Sequence, residues 1–145
     1  MIYSSACEYA IRALSYLVER GPENRVLARE VAESENIPGP FLGKVFQTLV
    51  KGGILTSAKG PGGGFSLARD PKDISLMNIR AIVDGVADLE ECAVGLDECS
   101  DDQPCPLHES WKPVRARIRS YLENTNLAQM ATATRKKREL AKPKK

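Results

Sequence analysis

The stretch from Cys92 to His108, CAVGLDECSDDQPCPLH, limits what this chain can become more than any other. It carries three of the four cysteines and the only histidine, spaced C-x6-C-x5-C-x2-H. Thiolate and imidazole are the ligands that hold iron–sulfur clusters or zinc. Gly95, Pro104, Pro106 and the surrounding acids suit a loop, which can wrap a metal centre where a rigid helix cannot. An irregular acidic surface loop with incidental cysteines is the plainer reading, but three cysteines in so short a window oppose it. The segment reads as a cluster-binding loop, and the rest of the chain as what that loop controls.

At 145 residues the chain has room for one compact domain and an appendage. No apolar run approaches the roughly 18 residues of a membrane span, and the N-terminus lacks a signal peptide's pattern. The expectation is a cytoplasmic protein without membrane contact. In a reducing compartment, clustered cysteines are metal ligands or redox sensors more often than disulfides. The net charge of +2 conceals a segregation. Residues 1–80 carry ten Lys/Arg and eight Asp/Glu, residues 81–111 nine acids and no base, and residues 112–145 eleven bases and two acids. The charges are thus +2, −9 and +9, which sets an acidic loop between two segments able to meet nucleic acid.

Residues 3–20 predict an amphipathic helix, with Ala6, Ala10, Ala13, Leu14, Leu17 and Val18 at helical spacing and Gly21-Pro22 ending it. Ser5 and Glu8 match a capping box, and Cys7 reads as a small packed residue. Leu27 to Glu35 predicts a second helix, followed by a turn at Asn36-Ile37-Pro38-Gly39. Pro40 then suits the first position of a third helix. There Phe41, Leu42, Val45, Phe46, Leu49 and Val50 form one stripe expected to be buried. The opposite face shows Gly43, Lys44, Gln47, Thr48 and Lys51 with no acid, and Gly52-Gly53 stops the helix. Two short helices with a tight turn and an acid-free outer face predict a helix-turn-helix.

Ile54–Ser57 and Phe65–Ala68 read as strands around Lys59-Gly60-Pro61-Gly62-Gly63-Gly64, a hairpin with a glycine-rich tip. A loop without side chains lets backbone N–H groups approach a phosphate or enter a minor groove, and Lys59 adds charge. A nucleotide-binding P-loop fails because no Gly-Lys-Ser/Thr ends the run. A merely flexible turn is the remaining structural alternative, although two residues would close a hairpin more simply. Ser75 predicts the cap of a helix from Leu76 to about Asp84. After the acidic loop, Leu107, Trp111, Val114, Ile118, Leu122 and Thr125 recur four and three apart. That period suggests packing against a second copy, with packing onto its own domain as the alternative. The basic end, Arg135 through Lys145, is poor in hydrophobics and is expected to be disordered.

With these pieces together, the sequence resembles the IscR/NsrR-type winged-helix regulators, the bacterial Rrf family. The resemblance covers residues 1 to about 130. It rests on YSSACEYAIRAL, on the helix-turn-helix pattern VAxxxxIPxxFLxKVFQTL over residues 31–49, on the KGPGGGFSLAR wing and on the three loop cysteines. It implies a mainly α fold: a winged helix-turn-helix with a two-stranded wing, a cysteine-rich cluster loop and a long C-terminal dimerisation helix. The implied division is a DNA-binding domain over 1–74, cluster loop and dimerisation helices over 75–130, and a basic disordered tail over 131–145.

The resemblance further implies a cytoplasmic, homodimeric transcriptional regulator of repressor type on a pseudo-palindromic double-stranded operator, sensing iron status, redox stress or nitric oxide. Cys92, Cys99 and Cys105 match the family's cysteine ligands. For the fourth ligand, His108 matches relatives with a 2Fe-2S cluster, and Glu8 of the partner subunit matches those with a 4Fe-4S cluster. His108 is preferred, because imidazole is the better iron ligand and Glu8 has a capping role. Lys44, Gln47, Thr48 and Lys51 are expected to face the major groove, with Lys59, Gly60, Gly62, Gly63 and Gly64 in the wing. Gly43 stands where some relatives read bases with glutamate, and the six-residue gap after Cys92 is one longer than in the iron–sulfur assembly regulators.

Two other functions compete. An iron–sulfur electron carrier explains the cysteines but neither the wing nor the acid-free helix face. A zinc-stabilised winged helix for protein contacts conflicts with cysteine gaps looser than the usual zinc spacing. Catalysis is not expected, since no nucleophile–base pairing is evident.

Overall fold

A computed structural model of the chain describes residues 2–96 and 100–143. Its elements are α1 (Ser5–Arg20), α2 (Ala28–Glu35), α3 (Gly39–Lys51), β1 (Leu55–Ala58), β2 (Gly64–Leu67), α4 (Leu76–Val83), α5 (His108–Asn124) and α6 (Leu127–Ala141). This is the expected winged helix-turn-helix, mainly helical with one antiparallel hairpin. The hairpin pairs Leu55 with Leu67 and Ala58 with Gly64. Val26, between α1 and α2, adds a third short edge by exchanging both backbone hydrogen bonds with Phe65.

The core forms where the helix stripes meet. Leu14 and Leu17 of α1 pack with Leu42, Phe46 and Leu49 of α3, and Ile54, Leu76, Ile79, Leu122 and Leu127 close the cluster. Each such buried aliphatic or aromatic side chain contributes roughly 1.5–3 kcal/mol. Ser75 caps α4, as the sequence predicts, and Asn78 completes a reciprocal box with it.

Four expectations are corrected. The cap of α1 is Ser4, which accepts from the Cys7 N–H at 3.1 Å, so Ser5 and Glu8 form no box. Ser4 lies better because its backbone N–H and hydroxyl also donate to Asp84 at the end of α4. Leu27 is the extended residue before α2 and is exposed. Phe41 leaves the buried stripe: it is 40% exposed, with its ring edge-on to Tyr9 of α1. Finally, the basic end is not a disordered tail over the residues described, because α6 runs to Ala141. Asn126 and Gln129 cap it reciprocally, Leu127 and Ala131 bury its inner face, and alanine, leucine, lysine and arginine are strong helix formers. The turn before it is pinned, since Leu76 N–H donates to Thr125 O at 2.9 Å and Leu127 N–H to Ile74 O at 2.8 Å.

Candidate nucleic-acid interface and cysteine loop

The buried side of α3 orients its other side outward. Lys44, Gln47, Thr48 and Lys51 are all exposed along one helix face. The Thr48 hydroxyl donates to the Lys44 carbonyl at 3.0 Å, one turn back along the same exposed face. Gly43 has open space where a Cβ would stand. The wing is fastened to this helix by Phe46 and Phe65, whose rings meet at 4.9 Å and 62°.

At the wing tip Gly63 N–H donates to Gly60 O at 2.9 Å, closing a β-turn with Pro61 and Gly62 at its corners. The positive φ of Gly62, +74°, makes this a type II turn. Lys59, Gly60 and Gly62 are exposed and Gly63 half-buried. Gly64 is buried, and a Cβ there would meet the Val26 carbonyl oxygen at 2.7 Å, so its smallness serves the sheet. Among the described residues Lys44, Lys51 and Lys59 form no ion pair, which leaves their charge for an anionic partner.

The cysteine loop is built differently, with three of its acids, Asp88, Glu90 and Asp101, paired to basic side chains of the flanking helices. Arg80, buried on α4, donates to Ile2 O at 2.7 Å, Gly85 O at 2.8 Å and Asp88 Oδ2 at 2.6 Å. Beyond Asp88, Glu90 accepts from Arg119 of α5. Cys92 follows, and the Cys105 thiol lies within hydrogen-bonding reach of it. Backbone N–H of Val94 first, then that of Leu96, the Cys105 thiol and the Gly95 N–H hold the Cys92 thiol below its ordinary value. These donors favour the thiolate, which is the form that binds metal. On the far side Asp101 Oδ1 bonds His108 Nε2 at 2.8 Å, and Lys112 Nζ holds both Asp101 oxygens at 2.8 and 3.0 Å. Those partners, Lys112 before His108, hold the Asp101 carboxyl down at about 2. His108 is buried as the first residue of α5. Cys99 lies outside the described residues.

Comparison with known proteins matches residues 3–133 to the family described as Rrf2, iron-dependent transcriptional regulator. The chain belongs to the Rrf2 family. An Aquifex aeolicus protein named for a helix-turn-helix-type transcriptional regulator is 36% identical over 129 residues, 88% of this chain and 89% of that protein. The regulator IscR of Vibrio parahaemolyticus is 30% identical over 132 residues, 91% of this chain and 78% of its own length. Among solved structures, CymR, the global cysteine regulator of B. subtilis, superposes with a TM-score of 0.75 at 21% identity, over 90% of this chain and 95% of that one. An Rrf2 chain with such relatives is a transcriptional regulator and not an enzyme.

Within this Rrf2 chain the soft ligands fit a cluster at the loop. Cys92 and Cys105 are adjacent, the thiolate of one is stabilised by backbone N–H groups, and an imidazole follows three residues after Cys105. Cys7 stands apart. Burial, then the Asp84 carboxylate, push its thiol up to about 12, as expected for a packed residue. Glu8, next to it, is half-buried, and its carboxylate has no hydrogen-bond or ion-pair partner among the described residues. Three participants escaped the sequence reading: Arg80, Asp101 and the Tyr9–Phe41 pair. Only spacing could have hinted at Asp101, which lies seven residues before His108. Arg80 sits within an apolar helix, LMNIRAIV, and that isolation was its one visible sign.

Proposed function

We propose that this regulator binds a pseudo-palindromic operator as a homodimer, with occupancy set by an iron–sulfur cluster held by Cys92, Cys99, Cys105 and His108. The observation that carries the reading is the placement of two free thiols, Cys92 and Cys105, in the loop directly before α5, the helix on which two copies would join. On α5 and its cap, Leu107, Val114 and Tyr121 are exposed at seven-residue intervals, with Trp111 and Ile118 half-buried between them. Trp111 Nε1 is buried without a partner among the described residues. Such a stripe suits an antiparallel or crossed helix pair with a second copy.

The acid-free face of α3 would enter the major groove, and Lys59 with the turn at Gly60 and Gly62 would approach the backbone beside it. Two recognition helices must stand about one helical turn of DNA apart, roughly 34 Å, to engage both half-sites. The loop is tied to α4 through Asp88 and to α5 through Glu90, so its conformation bears on that separation. A bound cluster supplies reversible redox and ligand-loss chemistry, so its oxidation, nitrosylation or removal would shift the population between binding and non-binding arrangements.

A second fourth ligand, Glu8 of the partner subunit, has its own support. The capping role that argued against it belongs to Ser4, which leaves the Glu8 carboxylate without a partner. That arrangement corresponds to a 4Fe-4S cluster, and His108 to 2Fe-2S. Anaerobic purification with iron, sulfide and absorption measurements tests the core reading. Cys92→Ala and Cys105→Ala are expected to bleach the protein. Iron-free protein that keeps its operator response would defeat it. His108→Ala and Glu8→Ala then separate the two ligand sets by which of them changes the spectrum.

A further inference from the structure

Tyr9 of α1 and Phe41 of α3 meet edge to face, with centroids 5.5 Å apart at 82°, and the Arg12 guanidinium lies over the Tyr9 ring at 5.3 Å. Phe41 occupies the first turn of α3 on the same outer face as Lys44, three residues on, and Thr48, seven on. The three-residue stack therefore adjoins the groove-facing surface at the end where a recognition helix enters DNA. Arg12 is exposed, and among the described residues it has no carboxylate partner. Arg20, on the same helix, is by contrast paired with Glu30.

From this we propose that Arg12 is a phosphate-binding residue: α1 contributes a clamp on the DNA backbone flanking the groove that α3 reads, with Tyr9 and Phe41 orienting the guanidinium. The occupant is the phosphodiester backbone, argued from charge and from continuity with the α3 surface. The inference rests on the DNA-binding reading above. Stacking on Tyr9 limits the conformations of the arginine, so less rotamer freedom is lost when its N–H fork meets two phosphate oxygens. Phe41, exposed at the mouth of the groove, presents an apolar edge that suits a thymine methyl group.

The test uses full-length protein and a duplex recovered by the protein itself from a random-sequence pool, with affinity measured across a salt series. Each lost phosphate contact reduces the slope of log K against log salt by about 0.9, so Arg12→Gln is expected to flatten it by about two for a dimer. Arg20→Gln is expected to leave the slope at its wild-type value, and Arg12→Lys to restore most of it. An unchanged slope in Arg12→Gln, an equal loss in Arg20→Gln, or a low slope persisting in Arg12→Lys would each overturn the assignment. A wild-type protein that recovers no duplex overturns the DNA-binding reading itself, and this inference with it.

Discussion

Arg138, near the end of the last helix, donates a 2.5 Å hydrogen bond to Glu35, the final residue of the first helix of the helix-turn-helix. The Glu35 side chain is 2% exposed, and its other oxygen has no partner among the described residues. Arg138 is 47% exposed, so a buried carboxylate leans on one half-solvated cation. The contact ties the chain's basic end to the unit that carries α3. Through α6 and the pinned turn at Thr125, it also joins that unit to α5.

Arg138→Gln would leave this carboxylate buried and unpaired. Removing one member of a fully buried pair costs about 3–5 kcal/mol, and solvent around Arg138 reduces this to about 1–3 kcal/mol. Thermal unfolding should show Tm lowered by several degrees. The double variant Arg138→Gln/Glu35→Gln should recover part of the loss, because an amide is cheaper to bury than a charge. Equal Tm values for wild type and Arg138→Gln would mean that α6 is held by its apolar face alone.

Two glycines predict opposite outcomes. At Gly43, inside α3, a Cβ meets nothing within 4 Å, so Gly43→Ala should stabilise by about 0.5–1 kcal/mol through helix propensity. At Gly64 the φ of +130° and the Val26 carbonyl oxygen 2.7 Å from a Cβ both resist a side chain. Gly64→Ala should cost about 1–3 kcal/mol and loosen the wing. Urea unfolding of the two variants checks the signs. A destabilised Gly43→Ala would show that α3 packs more tightly than its open face suggests.

The thiols should separate by reactivity in metal-free, reduced protein. Cys7 is held up at about 12, first by burial, and should resist alkylation until the protein unfolds. Cys92 is held below its ordinary value by backbone N–H groups of the loop. Its alkylation rate should therefore rise at a lower pH than that of a free cysteine. Peptide mapping after timed treatment with iodoacetamide reads both, and early labelling of Cys7 would contradict the packing of α1.

Much of this was legible in the chain. Helix periodicity located α1 to α4, the glycine run located the wing, and the cysteine spacing located the loop, because each is a local rule expressed in neighbouring residues. What escaped depends on distant partners. Nothing near Ser4 foretold that Asp84 would select it over Ser5 as the cap, and nothing near Phe41 foretold Tyr9. The acidic and basic blocks were visible as net charge, but their meaning was not. Asp88 with Arg80, Glu90 with Arg119 and Asp101 with Lys112 are loop acids gripped by the helices on either side. The basic end read as a tail because composition describes an isolated segment, whereas α6 is ordered by the surface of α1 and by Glu35.

The Asp101 grip has a consequence in acid. Hydrogen bonds from Lys112, then His108, lower its carboxyl from 3.8 to about 2 in the folded chain. A depressed carboxyl stabilises the fold above its unfolded value and ceases to do so as pH falls through the folded one. The contribution is thus complete near neutrality and disappears between about pH 4 and about pH 2. Asp101→Asn lacks it at every pH. Urea midpoints should then lie lower than wild type at neutral pH and converge with it in acid, giving the variant the flatter profile. Parallel profiles would show that the Asp101–Lys112 contact, exposed on both sides, contributes nothing, and that the start of α5 is held by the burial of His108.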